Sequence, residues 1–524
     1  MDEFFGRAAA QPERVVLTMA DTGQQYTAGE VAGAANRMAQ WLAAQGLNTG
    51  DAFAVLLENR VEILEIVLAA RQAGLYAAVL NTHLTPAEVA YIVQDCGARL
   101  VVASGKTLPL LEQARREQPL ACWTVDAATP QAPSLHDALR APVDPVVNFD
   151  DRPVGRDLLY SSGTTGRPKG VLQPMHAPRY RHQVPPEVEA MARNMRMGPD
   201  SVYLSPAPLY HAAPLRYSLR TLDLGGQAVI MGHFDPERAL ALIERYRVTH
   251  SQWVPTMFSR MSQLPPEVRR RYDLSSHRVA IHAAAPCPVP LKQAMLDWWG
   301  DILIEYYAGS EACGTTTITS QEWRQRPGSV GRASSGHVHI VGEDGQELGP
   351  GEIGQIYFSG SGKFSYLNDP EKTRQAINDK GLATYGDIGR VDEQGYLFLS
   401  DRRADLILSG GVNLYPQEIE NALARHPDVQ DVAVVGVPDA DLGEYPIAVV
   451  ALRPGVEATL ETARAIAARA SEVLGKLKRP RRMAFVDDLP RLATGKLLRR
   501  VLKERYRAEA DAGFALDGAS QSGP

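Results

Sequence analysis

The stretch YSSGTTGRPKGV, Tyr160 to Val171, places four Ser/Thr hydroxyls, three glycines and one lysine in twelve positions. Glycines let main-chain N–H groups approach a ligand closely and take positive φ, hydroxyls donate to oxygen atoms, and a lysine supplies charge. The combination suits a multi-oxygen anion such as phosphate. It is not a Walker A loop, which needs Gly-x-x-x-x-Gly-Lys followed by Ser or Thr, because here Lys169 follows Pro168 and precedes Gly170. A surface turn of the same composition is the plain alternative, and the rest of the chain decides between the two.

The chain has 524 residues, enough for two to four domains or subdomains; 44% are hydrophobic and 22% charged, which is the composition of an ordinary globular protein. A formal net charge of -6 argues against a general nucleic-acid binder. The four cysteines, Cys96, Cys122, Cys287 and Cys313, form no C-x-x-C pair and are too sparse for a disulfide framework, which suits a reducing compartment and no structural zinc. The start, MDEFFGRAAAQPERVV, carries acidic residues where a signal peptide needs a basic segment, and no apolar run reaches membrane-spanning length. The expectation is a cytoplasmic protein without a transmembrane segment.

Apolar spacing is helical from Tyr26 to Gly46, DAFAVLLEN is strand-like, and VEILEIVLAARQAG is helical again. The alternation recurs at ARLVVAS, at AVIMGHFDPERALALIERYRVTHSQWV and at RVAIHAAAPCPVPLKQAMLDWWG, the pattern of a layered α/β architecture. After about Gly331 short strands with Gly and Asp turns predict a β-rich subdomain. Beyond it VQDVAVVGVPD, PIAVVALRPG, a helix near Leu460 to Leu474 and the basic GKLKRPRR suffice for a small α+β domain. The tail from 511 to 524 reads as disordered.

Seven motifs in order, YSSGTTGRPKGV, PLYH, AAAPCP, YYAGSE, YGDIG, DRRADLILSGGVNLYPQEIE and ATGKLLRR, resemble those of the adenylate-forming superfamily, which includes acyl-CoA synthetases, coumarate CoA ligases, firefly luciferase and nonribosomal adenylation domains. The resemblance covers nearly the whole chain. It implies an α/β fold with a large N-terminal adenylation domain, 1–401, built of layered α/β and β-rich subdomains, and a small mobile α+β C-terminal domain, 405–510. It also implies an AMP-forming acid–thiol ligase that uses ATP, Mg²⁺ and coenzyme A on a hydrophobic carboxylic acid, whether fatty, cyclic or aryl. The alternative implied by the same motifs is a stand-alone enzyme that loads a carrier protein's phosphopantetheine. No carrier domain is fused, which favours free CoA. A homodimer is compatible with the sequence, which does not set the oligomeric state.

Residue by residue, the resemblance implies that Ser161, Ser162, Thr164, Thr165 and Lys169 donate to the β and γ phosphates, with Gly163, Gly166 and Gly170 allowing close wrapping. Tyr307 matches the ring that stacks on adenine, Ser310 a hydroxyl at the α-phosphate, and Glu311 the carboxylate that holds Mg²⁺. Asp387 and Arg402 match the groups that hold the ribose, and Lys496 the lysine between the attacking carboxylate and the α-phosphate. His211 matches a position between acyl pocket and nucleotide, and Gly410 and Gly411 match the loop that lets pantetheine pass. Lys496, Glu311, Thr164 and His211 are thus the expected catalytic set. Ala404 matches the hinge. His337 and His339 share a strand but lack a third ligand and read as structural.

The chain departs from the family at Tyr306-Tyr307-Ala308, where Gly-Tyr-Gly is usual, and at Ala283-Ala284-Ala285-Pro286, where a Gly pair is usual. Both add side-chain volume near the acyl pocket, so substrate identity does not transfer from relatives.

Overall fold

A computed structural model describes residues 3–115, 120–161, 168–360, 362–402, 405–409, 412–439, 442–491, 497–509 and 512–516. The side chains of Ser161, Asp401 and Arg402 lie outside the description, as do Ser162, Gly163, Thr164, Thr165, Gly166, Ala404, Gly410, Gly411 and Lys496.

Local sequence sets the first elements. Thr27 and Glu30 cap the helix Ala28–Ala44 reciprocally, with Thr27 N donating to Glu30 Oε2 at 2.8 Å and Glu30 N to Thr27 Oγ1 at 3.2 Å. The helix Val61–Ala73 stops where Gly74 takes a left-handed φ of 69°. Strands such as His250–Trp253 and Val279–His282 are buried at every position, as expected for parallel strands covered on both faces.

Among the described residues the strands form sheets of 13, seven and six. In the largest, a parallel run has the spatial order Leu303–Tyr307, Val279–His282, His250–Trp253, Val202–Ser205, Gln227–Ile230, Val15–Met19. The chain leaves Val202–Ser205 through the helix Ala212–Asp223 to reach Gln227–Ile230, then reverses and steps back across the sheet to His250–Trp253 and onward. With right-handed crossovers, that reversal puts Ala212–Asp223 on one face and the helices Pro236–Arg245, Pro255–Ser262 and Val289–Trp299 on the other. The cores agree. Leu215, Leu219 and Leu222 pack with Phe53 and Leu64, whereas Leu240, Phe258 and Leu296 pack with Trp253 and Trp323.

The β-rich segment expected after Gly331 is present and is continuous with the large sheet. Thr315–Thr319 and Ser329–Ser335 already run antiparallel beside Leu303–Tyr307, and Leu397–Arg402, Asp387–Val391, Gly354–Ser359 and His337–Val341 continue the same sheet. The seven-stranded sheet joins distant segments, since Ser365–Tyr366 pairs antiparallel with Lys169–Leu172.

In the small domain, the strands Val429–Asp439 and Gly443–Leu452 bury both faces. Val432, Val434, Ala448 and Val450 pack under Ile419 and Ile466, while Val435, Val437, Ile447 and Val449 pack under Leu502 and Tyr506. The tail expected to be disordered is structured in part. Phe514–Ala515 pairs antiparallel with Arg482 and Met483, and the Phe514 ring lies 5.8 Å from that of Phe485, so an aromatic anchor outweighs the polar composition around it. Among the described residues no helix is long and apolar enough to cross a membrane.

Gly331 sits at the irregularity where Ser329–Ser335 meets Leu397–Arg402, with φ of 95° and space for a Cβ only 2.1 Å from the Thr317 carbonyl oxygen. Gly331→Ala is expected to lower unfolding stability by at least about 2 kcal/mol, read from the shift in a urea transition.

Candidate active site

The strand Leu303–Tyr307 ends in a cavity of about 1290 Å³ whose walls come from both domains. Open α/β sheets bind ligands at the carboxyl ends of their strands where the strand order reverses, and this cavity lies at those ends. Alternation along the strand sends Tyr306 to the face of the helix Ala212–Asp223, and Glu305 and Tyr307 to the opposite face.

Tyr307 is held from several directions. Its hydroxyl donates to Asp387 Oδ2 at 2.6 Å, and its ring centroid lies 6.2 Å from Phe358 and 5.6 Å, edge-on, from Tyr385. Asp387 is buried at the start of its own strand. The Tyr385 hydroxyl donates to the Gly314 carbonyl at 2.8 Å and accepts from the Gly314 N–H at 3.1 Å. Its ring is pressed against Gly309, where any Cβ would stand 2.5 Å away. The turn from Tyr307 to Glu311 therefore requires glycine at this position.

Glu311 Oε1 accepts from the Tyr366 hydroxyl at 2.8 Å, and the Lys169 ammonium sits 5.1 Å from the centroid of the Tyr366 ring. Tyr366 thus stands between the exit of the glycine-rich loop and the carboxylate expected to hold a cation. Gln173, in turn, donates from Nε2 to the Ser310 carbonyl at 2.7 Å, accepts at its main-chain oxygen from the Tyr76 hydroxyl at 2.9 Å, and is met at Oε1 by Arg156. These contacts tie the exit strand of that loop to the Ser310–Glu311 turn.

Of the residues expected from sequence, the structure brings Lys169, Tyr307, Ser310, Glu311 and Asp387 to the cavity wall. His211 is not on that wall. It precedes the helix Ala212–Asp223 as its N-cap residue, with its ring edge-on to Tyr210 at 4.5 Å and 61° and its Nε2 buried without a partner; burial pushes its pKa down to about 4. Ser161 and Arg402 occupy strands by their main chain, with Arg402 opposite Asp387. Arg491 and Leu497, which bracket the segment containing Lys496, both line the cavity, and Arg491 is fixed by two 2.8 Å bonds to Asp431. Leu408 and Val412, which bracket Gly410 and Gly411, are 58% and 47% exposed and do not. His339 is held between Glu347 and Ser359, each at 2.8 Å, consistent with a structural role.

Sequence reading missed Tyr366, Tyr385, Gln173 and a buried ion pair. Glu305 lines the cavity while paired with Lys292, which is only 1% exposed and lies 5.0 Å from the centroid of the Trp323 ring. Burial raises the Glu305 carboxyl and the Lys292 charge opposes it, whereas the neighbouring His282, 3.7 Å from Glu305, is held neutral by burial and by that same ammonium.

Residues 4–366 match the family model of the AMP-binding enzymes, and residues 418–496 that of the AMP-binding enzyme C-terminal domain. The chain is 32% identical over 517 residues to the long-chain-fatty-acid–CoA ligase FadD13 of Mycobacterium tuberculosis, covering 96% of this chain and 97% of that one. It is 33% identical over 498 residues to the 2-succinylbenzoate–CoA ligase of Geobacillus kaustophilus, covering 95% and 96%. Among solved structures, ATP-bound MatB from Rhodopseudomonas palustris superposes with a TM-score of 0.83 at 30% identity, covering 97% of this chain and 99% of that one. The o-succinylbenzoate CoA synthetase MenE of Bacillus subtilis, in complex with its acyl-adenylate OSB-AMP, gives 0.79 at 28%, covering 96% and 98%.

Lys292→Met leaves the Glu305 carboxylate buried without its counter-charge and is expected to cost about 3–5 kcal/mol of unfolding stability. The deficit shrinks as pH falls, because a protonated Glu305 no longer needs the ammonium. Adding Glu305→Gln to the same chain is expected to recover most of it, as a pH series of urea transitions will show.

Proposed function

The chain belongs to the AMP-binding enzyme family and is an ATP-dependent carboxylate–CoA ligase working through an acyl adenylate, and we propose that its substrate is a hydrophobic carboxylic acid handled by the residues gathered in this cleft. The observation that carries the assignment of roles is the convergence on one cavity of Lys169, the Tyr307–Asp387 pair, Glu311 and the two residues that bracket Lys496.

In the first half-reaction an acid carboxylate oxygen attacks the α-phosphorus of ATP, forming the acyl–phosphate bond as the bond to pyrophosphate breaks. Two anions must meet, so the site has to supply positive charge and oriented donors. Lys169 and the hydroxyls of Ser161, Ser162, Thr164 and Thr165 take the β and γ oxygens, with Ser310 at the α-phosphate. Tyr307 offers its ring to the adenine, and Asp387 with Arg402 the ribose contacts. Glu311 is a hard oxygen donor oriented by Tyr366, which fits a magnesium ion; such an ion when bound neutralises phosphate charge. Lys496 is assigned the role of bridging the attacking oxygen and the phosphate, as its motif implies. The cavity is lined by Arg491 and Leu497 and not by Leu408 or Val412, an arrangement that favours this first step.

In the second half-reaction the CoA sulfur attacks the acyl carbonyl, loses its proton and expels AMP. The small domain turns about Ala404 to present Gly410 and Gly411 in place of Lys496, so the two steps share one cleft through a hinge.

Lys496→Ala is expected to slow acyl-adenylate formation by about 10²–10³ or more while thioester formation from supplied acyl adenylate survives; pyrophosphate exchange and single-turnover thioester assays separate the two, and equal losses would remove the assignment. Tyr366→Phe keeps the ring beneath Lys169 but deletes the donor to Glu311. A hydrogen bond to a charged group is worth about 1.5–3 kcal/mol, so the Mg²⁺ concentration for half-maximal adenylation is expected to rise by about tenfold or more.

A further inference from the structure

The helix Ala212–Asp223 covers the face of the sheet to which Tyr306 points, yet none of its residues lines the cavity; Tyr306 is the wall on that side. Behind it stand two more tyrosines in a row. The Tyr306 and Tyr217 centroids are 6.0 Å apart, and Tyr217 lies 6.1 Å from Tyr203 in a stacked arrangement. Tyr203 and Tyr217 are fully buried or nearly so, at 0% and 5% exposure.

The wall is pinned as well as filled. Gln252, itself buried, donates from Nε2 to the Tyr306 hydroxyl at 3.0 Å and accepts at Oε1 from the Tyr203 hydroxyl at 3.3 Å. A chain of hydrogen bonds therefore runs along the same row as the rings. The helix behind is anchored in its turn, since Arg216 Nη2 donates to Asp157 Oδ2 at 2.8 Å on the strand that leads into the glycine-rich loop. Moving the Tyr306 ring aside would break its bond to Gln252 and press it into close-packed neighbours, where interiors have no room to spare.

Resting on the ligase reading above, we propose that Tyr306 determines acid specificity by closing the space along the helix Ala212–Asp223, so that the enzyme activates a compact acid, short aliphatic or single-ring, and rejects long straight chains. The acid then lies against the Tyr306 ring with its carboxylate toward Ser310 and Glu311, while the nucleotide occupies the Tyr307 side of the same strand. Tyr306 is a gate on length and takes no part in the bond changes.

The test is AMP release with CoA across butanoate, hexanoate, octanoate, dodecanoate, hexadecanoate and benzoate, for the wild type, Tyr306→Gly and Tyr217→Ala. For the wild type, kcat/KM for dodecanoate and hexadecanoate is expected at least about 100-fold below that of the best short or single-ring acid, since one misfitting methylene already costs about 10- to 200-fold. Tyr306→Gly is expected to raise the long-to-short ratio by at least about tenfold with little change in the KM for ATP. Tyr217→Ala, at a residue that does not itself line the cavity, should shift the ratio in the same direction by loosening the backing of the Tyr306 ring. Wild-type activity on hexadecanoate equal to that on hexanoate overturns the inference, as does an unchanged length profile in Tyr306→Gly. Absence of turnover with every acid, by contrast, removes the ligase reading and this inference with it.

Discussion

The last two residues of one strand organise the reaction space. Leu303–Tyr307 is flanked by a parallel neighbour on one side and an antiparallel one on the other, so its main chain is fully committed to the sheet. Alternation then forces Tyr306 and Tyr307 to opposite faces. Because the strand order reverses within the parallel run, after Gln227–Ile230, its two faces are covered by different helices, and one cleft acquires two chemically distinct sides. Tyr307 is tied to Asp387 and boxed by Phe358 and Tyr385, while Tyr306 is tied to Gln252 and backed by Tyr217.

Charge in the cleft is arranged by contacts between segments remote in the chain. Pairing of Ser365–Tyr366 with Lys169–Leu172 brings in a phenol whose ring lies against the Lys169 ammonium and whose hydroxyl donates to Glu311. Lys292 and Glu305 show the contrasting solution, a buried pair that satisfies itself and stiffens the wall. Such pairs contribute little net stability against apolar replacements, but each partner makes the other's loss costly.

Residues of both domains line the cavity, Tyr307 and Glu311 from the large one and Glu420, Asp431 and Arg491 from the small one. The small domain has its own two-faced core around Val429–Asp439 and Gly443–Leu452 and does not depend on the large domain for burial. A unit with an independent core can turn as a rigid body about a short connection, which is what a two-step reaction in one cleft demands.

The sequence alone determined the α/β character, helices such as Ala28–Ala44 with its Thr27–Glu30 capping box, and the small α+β domain, and its family resemblance pointed to Lys169, Tyr307, Ser310, Glu311 and Asp387, which line one cavity. The first three rest on periodicity and local caps, and the site residues on short motifs matched to those of a family. Only the tertiary structure decided that the strands after Thr315 extend the parallel sheet, that Phe514–Ala515 is anchored, and that His211 stands off the cavity wall. It alone revealed Tyr366 at Glu311, Gln173 at Ser310 and Lys292 at Glu305. Those pairs are separated by 55, 137 and 13 residues, and nothing in a tyrosine, a glutamine or a lysine advertises its partner. Their roles come from which strand lies beside which, a property of the sheet order that hydrophobic burial selects over the whole chain and no short stretch contains.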